Sequence, residues 1–231
     1  MSDDHLVFNT HAGVITGWRD RGVIRATGIR YATAERFQPP VPATPYTTPF
    51  KATAWSPYSP QAPDSRLQKL LGASPLEHLT LDEHCQYLSV TVPDGPRHQL
   101  PVMVWIHGGS YVSGSGDASI FDARLLVEEQ RVVVVNVTYR LGLFGFLGGY
   151  AERAANLGLL DIIEALRWIK NNIEGFGGDA GNITLFGQSS GGDAIAHLMI
   201  AEGAQSLFQR AIIQSAPLGI SRGRTDMTAA M

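Results

Sequence analysis

The residues with the plainest capacity for chemistry are Gly187-Gln188-Ser189-Ser190-Gly191, a G-x-S-x-G run. The run lies between a predicted strand over 183–186 and a predicted helix over 191–200. That is the setting of a nucleophile elbow, in which a serine stands on a sharp, strained turn. Side chains at the two flanking glycine positions would collide with strand and helix. The turn lifts the Ser189 hydroxyl above the carboxyl edge of a sheet. It also aims the Ser190 N–H at a reacting carbonyl, over a helix N-terminus that favours negative charge. Alone, so short a pattern is weak, because a glycine-rich chain meets it by chance.

A second segment changes those odds. His107-Gly108-Gly109-Ser110-Tyr111 follows a short apolar run, 102–106, that ends in glycines. A loop of this kind supplies backbone N–H donors to the oxyanion of a tetrahedral intermediate. The rival reading is a phosphate-binding loop, since Gly114-Ser115-Gly116 follows closely. It fails in detail: a dinucleotide fingerprint wants glycine where Ser119 stands, and no Gly-Lys-Ser/Thr is present.

The elements around these segments alternate. The first 31 residues read as a small antiparallel meander with short β-like runs at 6–8, 13–18 and 23–26. Residues 38–63 are rich in proline and predict an extended, irregular connector lying on the surface. Strands are predicted at 87–92, 102–106, 132–137, 183–186 and 211–214, and helices at 121–130, 156–173 and 191–200. In 156–173 the residues Leu159, Ile162, Ile163, Leu166, Ile169 and Ile173 fall on one face at helical spacing. Buried strands alternating with helices make βαβ units, and so an α/β fold with a mostly parallel sheet and flanking helices.

Composition narrows the classes of partner. The chain has 231 residues, 44% hydrophobic and 17% charged, with a net charge of −3. That is globular, not disordered or fibrous. The charge leaves no footprint for nucleic acid or an anionic membrane. The stretch 132–147 is broken by Asn136, Thr138, Arg140, Gly142 and Gly145, short of the roughly 20 apolar residues a membrane span needs. One cysteine, Cys85, excludes an internal disulfide framework. The acidic N-terminus lacks the basic start of a signal peptide, so the expected compartment is the cytoplasm. The Asn136 and Asn182 triplets resemble glycosylation sequons but sit in strand-like runs, and read as chance.

From about residue 11 to its end, the sequence resembles the catalytic N-terminal part of a type B carboxylesterase, the cholinesterase-like branch of the α/β-hydrolases. Carrying segments include Gly28-Ile-Arg-Tyr-Ala32, Arg36-Phe-Gln-Pro-Pro40, Asp82-Glu-His-Cys-Gln-Tyr-Leu88 and Val102-Met-Val-Trp-Ile-His-Gly-Gly109. Further on come Asn136-Val-Thr-Tyr-Arg-Leu-Gly142, Asn156-Leu-Gly-Leu-Leu-Asp161, Asn172-Ile-Glu-Gly-Phe-Gly-Gly-Asp179, Thr184-Leu-Phe-Gly-Gln-Ser-Ser-Gly-Gly192 and Phe208-Gln-Arg-Ala-Ile-Ile-Gln-Ser215.

The resemblance implies a role for each matching position. Ser189 would be the acylated nucleophile, and Gly109, Ser110 and Ser190 would give the three oxyanion N–H groups. Arg36 and Glu83 would form a buried ion pair tying the N-terminal region to the domain. No metal or cofactor is implied, and the partner would be a small-molecule ester. Several positions depart from the family's pattern. Ser110 stands where glycine is usual, Gln188 where glutamate is usual, and Ser190 where alanine is usual. Cys85 matches a family cysteine whose disulfide partner would fall near Ser59, so it is expected to be a free, buried, small apolar group.

The resemblance also implies a triad in the order serine, acid, histidine. The histidine after Ser189, His197, lies about 12 Å along a helix axis and cannot reach the hydroxyl. His107 belongs to the oxyanion loop. The stretch 225–231 reads as the start of a helix. Residues 1–231 are therefore expected to be the N-terminal portion of a single domain, with acid and base beyond Met231. The alternatives are a catalytically inactive binding relative of the same fold and a truncated remnant. Acyl and alcohol preference and oligomeric state are not readable.

Overall fold

The computed structural model describes residues 3–63, 65–147 and 154–219. The stretch 225–231, expected to begin a helix, lies outside them. The strands are β1 (Val7–Thr10), β2 (Gly13–Thr16), β3 (Trp18–Asp20), β4 (Val23–Arg30), β5 (Ala32–Thr33), β6 (Val41–Pro42), β7 (Phe50–Lys51), β8 (Tyr87–Pro93), β9 (Leu100–Ile106), β10 (Val133–Val137), β11 (Gly178–Gln188) and β12 (Arg210–Gln214). The α-helices are α1 (Ser65–Leu71), α2 (Arg124–Gln130), α3 (Gly142–Phe146), α4 (Leu157–Asn172) and α5 (Ser190–Leu198).

A seven-stranded sheet in the order β12-β11-β9-β10-β8-β4-β3 forms the centre. Pairs β12–β11, β11–β9 and β9–β10 are parallel, whereas β10–β8, β8–β4 and β4–β3 are antiparallel. Strand β10 is valine at every position but Asn136 and β9 is apolar throughout, as covering both faces of the sheet requires, whereas β11 buries Ile183 and Leu185 between the less buried Asn182, Thr184 and Phe186. Helix α4 presses Ile162, Ile163, Leu166 and Ile169 into the main core. This is the α/β-hydrolase arrangement, with parallel strands meeting helices at their carboxyl ends. Strand β12 is the edge, and Ile212 and Ile213 keep 44% and 37% of their surface exposed.

The N-terminal meander is divided between two sheets. Strands β1 and β2 form a hairpin that joins β7 in a separate three-stranded sheet, while β3 and β4 enter the central one. The division falls at Gly17, where a β-carbon would lie 2.3 Å from the Arg25 carbonyl oxygen. Only a bare backbone can cross β4 that closely. The proline-rich connector is irregular, as its composition requires, with β6 and β7 only two residues each. It does more than lie on the surface. Ser56 and Ser59 are buried; the Ser56 N–H bonds the Asp117 carboxylate at 3.0 Å, and the Ser59 hydroxyl accepts the Leu141 N–H at 3.0 Å.

The ion pairs correct one expectation. Arg36 and Glu83 do pair, through Nε and Nη2 of the guanidinium, but with 60% and 33% of their side chains exposed. A solvated pair of this kind is screened and adds little. The buried pair is instead Arg140–Asp161, 3% and 0% exposed. Arg140 Nε and Nη2 bond the two Asp161 oxygens at 2.8 and 2.6 Å, and Nη1 reaches the Gln38 carbonyl at 2.8 Å. Burial opposes the Arg140 charge, yet the Asp161 bonds more than offset it and raise its pKa. Arg25, also buried, bonds Asp20 and Asp122 at 2.8 and 2.6 Å. It thereby holds the start of the chain against the helical side of the sheet.

Asp161→Ala leaves a guanidinium buried without its partner. Urea unfolding of that variant should show a loss of about 3–5 kcal/mol, whereas Glu83→Gln should leave the midpoint almost in place.

Candidate active site

Ser189 is the residue between β11 and α5, with φ 55° and ψ −127°. That conformation is costly for a residue with a side chain, on the order of 1–3 kcal/mol, and persists only where its surroundings impose it. The surroundings are the neighbouring glycines. A β-carbon on Gly191 would lie 2.0 Å from the Ile106 carbonyl oxygen, and one on Gly187 would lie 2.8 Å from both Ile106 O and Gly191 C. The chain can turn here only by bringing backbone against backbone. The Ser189 N–H then bonds the Gln214 carbonyl of β12 at 2.9 Å, and its carbonyl accepts the Asp193 N–H at 3.0 Å. Its hydroxyl makes no capping bond to α5.

The loop after β9 comes to rest against this turn. A β-carbon on Gly108 would stand 2.5 Å from the Gln188 carbonyl oxygen and 3.2 Å from the Ser189 β-carbon. Glycine at 108 is thus what lets the loop approach the serine. Gly109, Ser110 and Tyr111 all have positive φ, at 118°, 57° and 62°. Among the described residues, the N–H groups of Gly109, Ser110 and Ser190 donate to no protein acceptor. The approach of Gly108 to Ser189, and the bond from Tyr111 to Ser190, bring the loop segment that holds Gly109 and Ser110 beside Ser189 and Ser190. Direct contact between loop and helix runs through the Tyr111 N–H, which bonds the Ser190 hydroxyl oxygen at 3.2 Å.

The base of the loop is anchored on both sides. Gln61, from the connector, donates to the Gly114 carbonyl at 2.9 Å and accepts the Gly114 N–H at 2.7 Å. His107 is fully buried and stacks on Tyr139 at 4.4 Å between ring centroids. Its Nδ1 donates to the Gly108 carbonyl at 2.8 Å, and its Nε2 is buried with no partner among the described residues. Burial pushes its pKa down to about 4, so the ring is neutral at pH 7. It is a structural post of the loop.

No histidine ring among the described residues hydrogen-bonds the Ser189 hydroxyl. His197 lies exposed on α5, with Nδ1 on the Asp193 carbonyl at 2.9 Å. Cys85 is free and buried, and burial raises its thiol pKa. No group of three or more His, Cys, Asp or Glu side chains among the described residues is placed to hold a metal ion. No helix among them is long and apolar enough to cross a membrane.

The fold is that of an α/β-hydrolase, with Ser189 on the strained turn between β11 and α5. The carboxylesterase family model matches residues 4–223, and the chain belongs to that family. It is 44% identical over 219 residues to a probable N-octanoylanthranilate hydrolase of Rhodococcus erythropolis, covering 93% of this chain and 48% of the relative. It is 41% identical to the para-nitrobenzyl esterase of Bacillus subtilis, covering 98% and 46%. A solved structure of a PNB esterase superposes with a TM-score of 0.87 at 39% identity, over 98% of this chain and 47% of that one. The chain thus spans about half the length of these relatives.

The neutral, buried state of His107 makes stability depend on pH. The unfolded ring takes a proton below about pH 6.5, the folded one only near pH 4. The unfolded state therefore binds more protons across that window, and stability falls as pH drops through it, by about 3 kcal/mol in all. In urea unfolding from pH 7 to 4, the wild type should lose more stability than His107→Phe by about that amount. Parallel losses would show that His107 does not carry the effect.

Proposed function

We propose that this chain carries the nucleophile and oxyanion hole of a serine carboxylesterase. The supporting observation is the juxtaposition of an uncapped Ser189 hydroxyl with three unengaged N–H donors on Gly109, Ser110 and Ser190. The Ser189 oxygen attacks the carbonyl carbon of an ester. The carbonyl π pair moves onto oxygen, and the three N–H groups stabilise that charge in a pre-arranged, partly dry site. Two of the donors come from the loop after β9. The third stands at the first residue of α5, where the helix end favours negative charge.

The tetrahedral intermediate collapses with cleavage of the bond to the alkoxy oxygen. The alcohol leaves with the proton taken from Ser189, and the acyl group stays on the serine. Water then repeats the attack and releases the carboxylic acid. A histidine base, oriented by an acid, must move these protons. We assign both to sequence outside residues 3–219, because His107 is buried on the Gly108 carbonyl and His197 is turned to Asp193. The substrate class is small-molecule carboxylic esters, in keeping with the esterase names of the relatives. We place the protein in the cytoplasm, where a free thiol such as that of Cys85 stays reduced; cell fractionation that recovers it elsewhere would overturn that placement.

In the full-length protein, Ser189→Ala should lower hydrolysis of p-nitrophenyl butyrate by at least about 10³-fold, with the fold intact by circular dichroism. An unchanged rate in that variant would contradict the assignment.

A further inference from the structure

The oxyanion loop holds its shape at a cost. Ser110 and Tyr111 are successive residues with β-carbons in the left-handed region, at φ 57° and 62°, immediately after Gly109 at 118°. Such a backbone is disfavoured at each of them, and it survives only where the surroundings fix it. Little holds Ser110 itself, whose side chain is exposed. Tyr111 is held at every point. Its N–H bonds the Ser190 hydroxyl oxygen at 3.2 Å, and its carbonyl accepts the Gly142 N–H at 2.7 Å. Its phenol donates to the Asp193 carboxylate at 2.7 Å, and its ring packs on Phe146 at 4.5 Å between centroids.

Two of these four anchors, Ser190 and Asp193, lie in the first turn of α5. The Ser190 hydroxyl is buried. The same helix end presents the Ser190 N–H, one of the three donors. The strained peptide between Ser110 and Tyr111 is therefore tied to the element that positions Ser189.

We propose that Tyr111, the Ser190 hydroxyl and the Asp193 carboxylate form a clamp that holds the Ser110 amide in register with the other oxyanion donors. Ser190 thus serves twice, through its N–H as a donor and through its side chain as a positioning group. Tyr111 and Asp193 are positioning residues and touch no reacting atom. The clamp does for Ser110 what backbone freedom would do for a glycine. The kinetic part of the proposal rests on the acyl-enzyme reading of Ser189; the clamp itself does not.

Two readouts test it in the full-length protein. The first is amide hydrogen exchange by NMR, which needs no turnover: the Tyr111 N–H should exchange at least about tenfold faster in Ser190→Ala than in the wild type. The second is kinetic. Ser190→Ala and Tyr111→Phe should each lower kcat for p-nitrophenyl butyrate about tenfold, with KM moving less than about twofold, as expected for a contact realised in the transition state. Adding Ser110→Gly to either variant should recover most of the lost kcat, because glycine takes the left-handed backbone freely. A purely structural role for these bonds would not give that rescue. Unchanged Tyr111 exchange in Ser190→Ala would overturn the clamp. So would wild-type kcat in both variants while Ser189→Ala is inactive, and that result would leave the acyl-enzyme reading standing. If Ser189→Ala is fully active, the acyl-enzyme reading falls, and the exchange rates still decide whether the clamp exists.

Discussion

The structure depends on one steric constraint, the lack of space between Ile106, Gly187 and Gly191. No side chain fits at either glycine, because β9, β11 and α5 meet backbone to backbone. Chain leaving β11 has to reverse within one residue to begin α5, and that residue is Ser189. Its φ of 55° is the local cost of the reversal. In return, the hydroxyl stands at the carboxyl edge of the sheet and the helix N-terminus begins beside it. A residue larger than glycine at 191 would push α5 away from β9. The serine would then move relative to the loop that approaches it through Gly108.

The remaining interactions keep that meeting point rigid from a distance. Asp161 on α4 grips Arg140, which follows β10, and Arg140 reaches back to Gln38 in the connector. The connector in turn bonds Gly114 through Gln61, just after the loop that follows β9. Tyr139 donates to the His107 carbonyl at 2.7 Å and stacks on its ring. Asp161, Arg140 and Tyr139 are buried and hydrogen-bonded, which is the condition under which polar burial rigidifies a fold instead of weakening it. The loop is thus supported from the N-terminal connector, from the strand beneath it and from the helix opposite.

Much of this architecture was legible in the sequence, for definite reasons. Strand β10 is valine at every position but Asn136, and α4 carries its apolar residues at helical spacing, so period and composition agree there with tertiary burial. The sharp turn at Ser189 was legible because its flanking glycines are demanded by backbone contact. What escaped was set by geometry across the chain. The hairpin β1–β2 and the strand β3 look alike locally, and only the crossing at Gly17 assigns them to different sheets. Arg36–Glu83 was expected to be buried, yet it lies in solvent, because motif position carries no information on exposure. Arg140 and Asp161 were visible as parts of two motifs, but nothing in their spacing announced that they pair. Tyr111 and Asp193 lie 82 positions apart, and their bond follows from the loop folding over α5. Ser110 and Ser190 were each visible as departures, whereas the hydrogen bond that links the loop to Ser190 required the fold.

The central claim is that Ser189 forms a covalent tetrahedral adduct whose oxygen is held by Gly109, Ser110 and Ser190. The most direct measurement is a crystal structure of the full-length protein after treatment with a small organophosphonate ester. The account predicts a covalent bond from the Ser189 oxygen to phosphorus, with the phosphoryl oxygen about 2.7–3.1 Å from all three backbone nitrogens. An adduct on another residue, or a Ser189 adduct whose phosphoryl oxygen points away from those nitrogens, would contradict it.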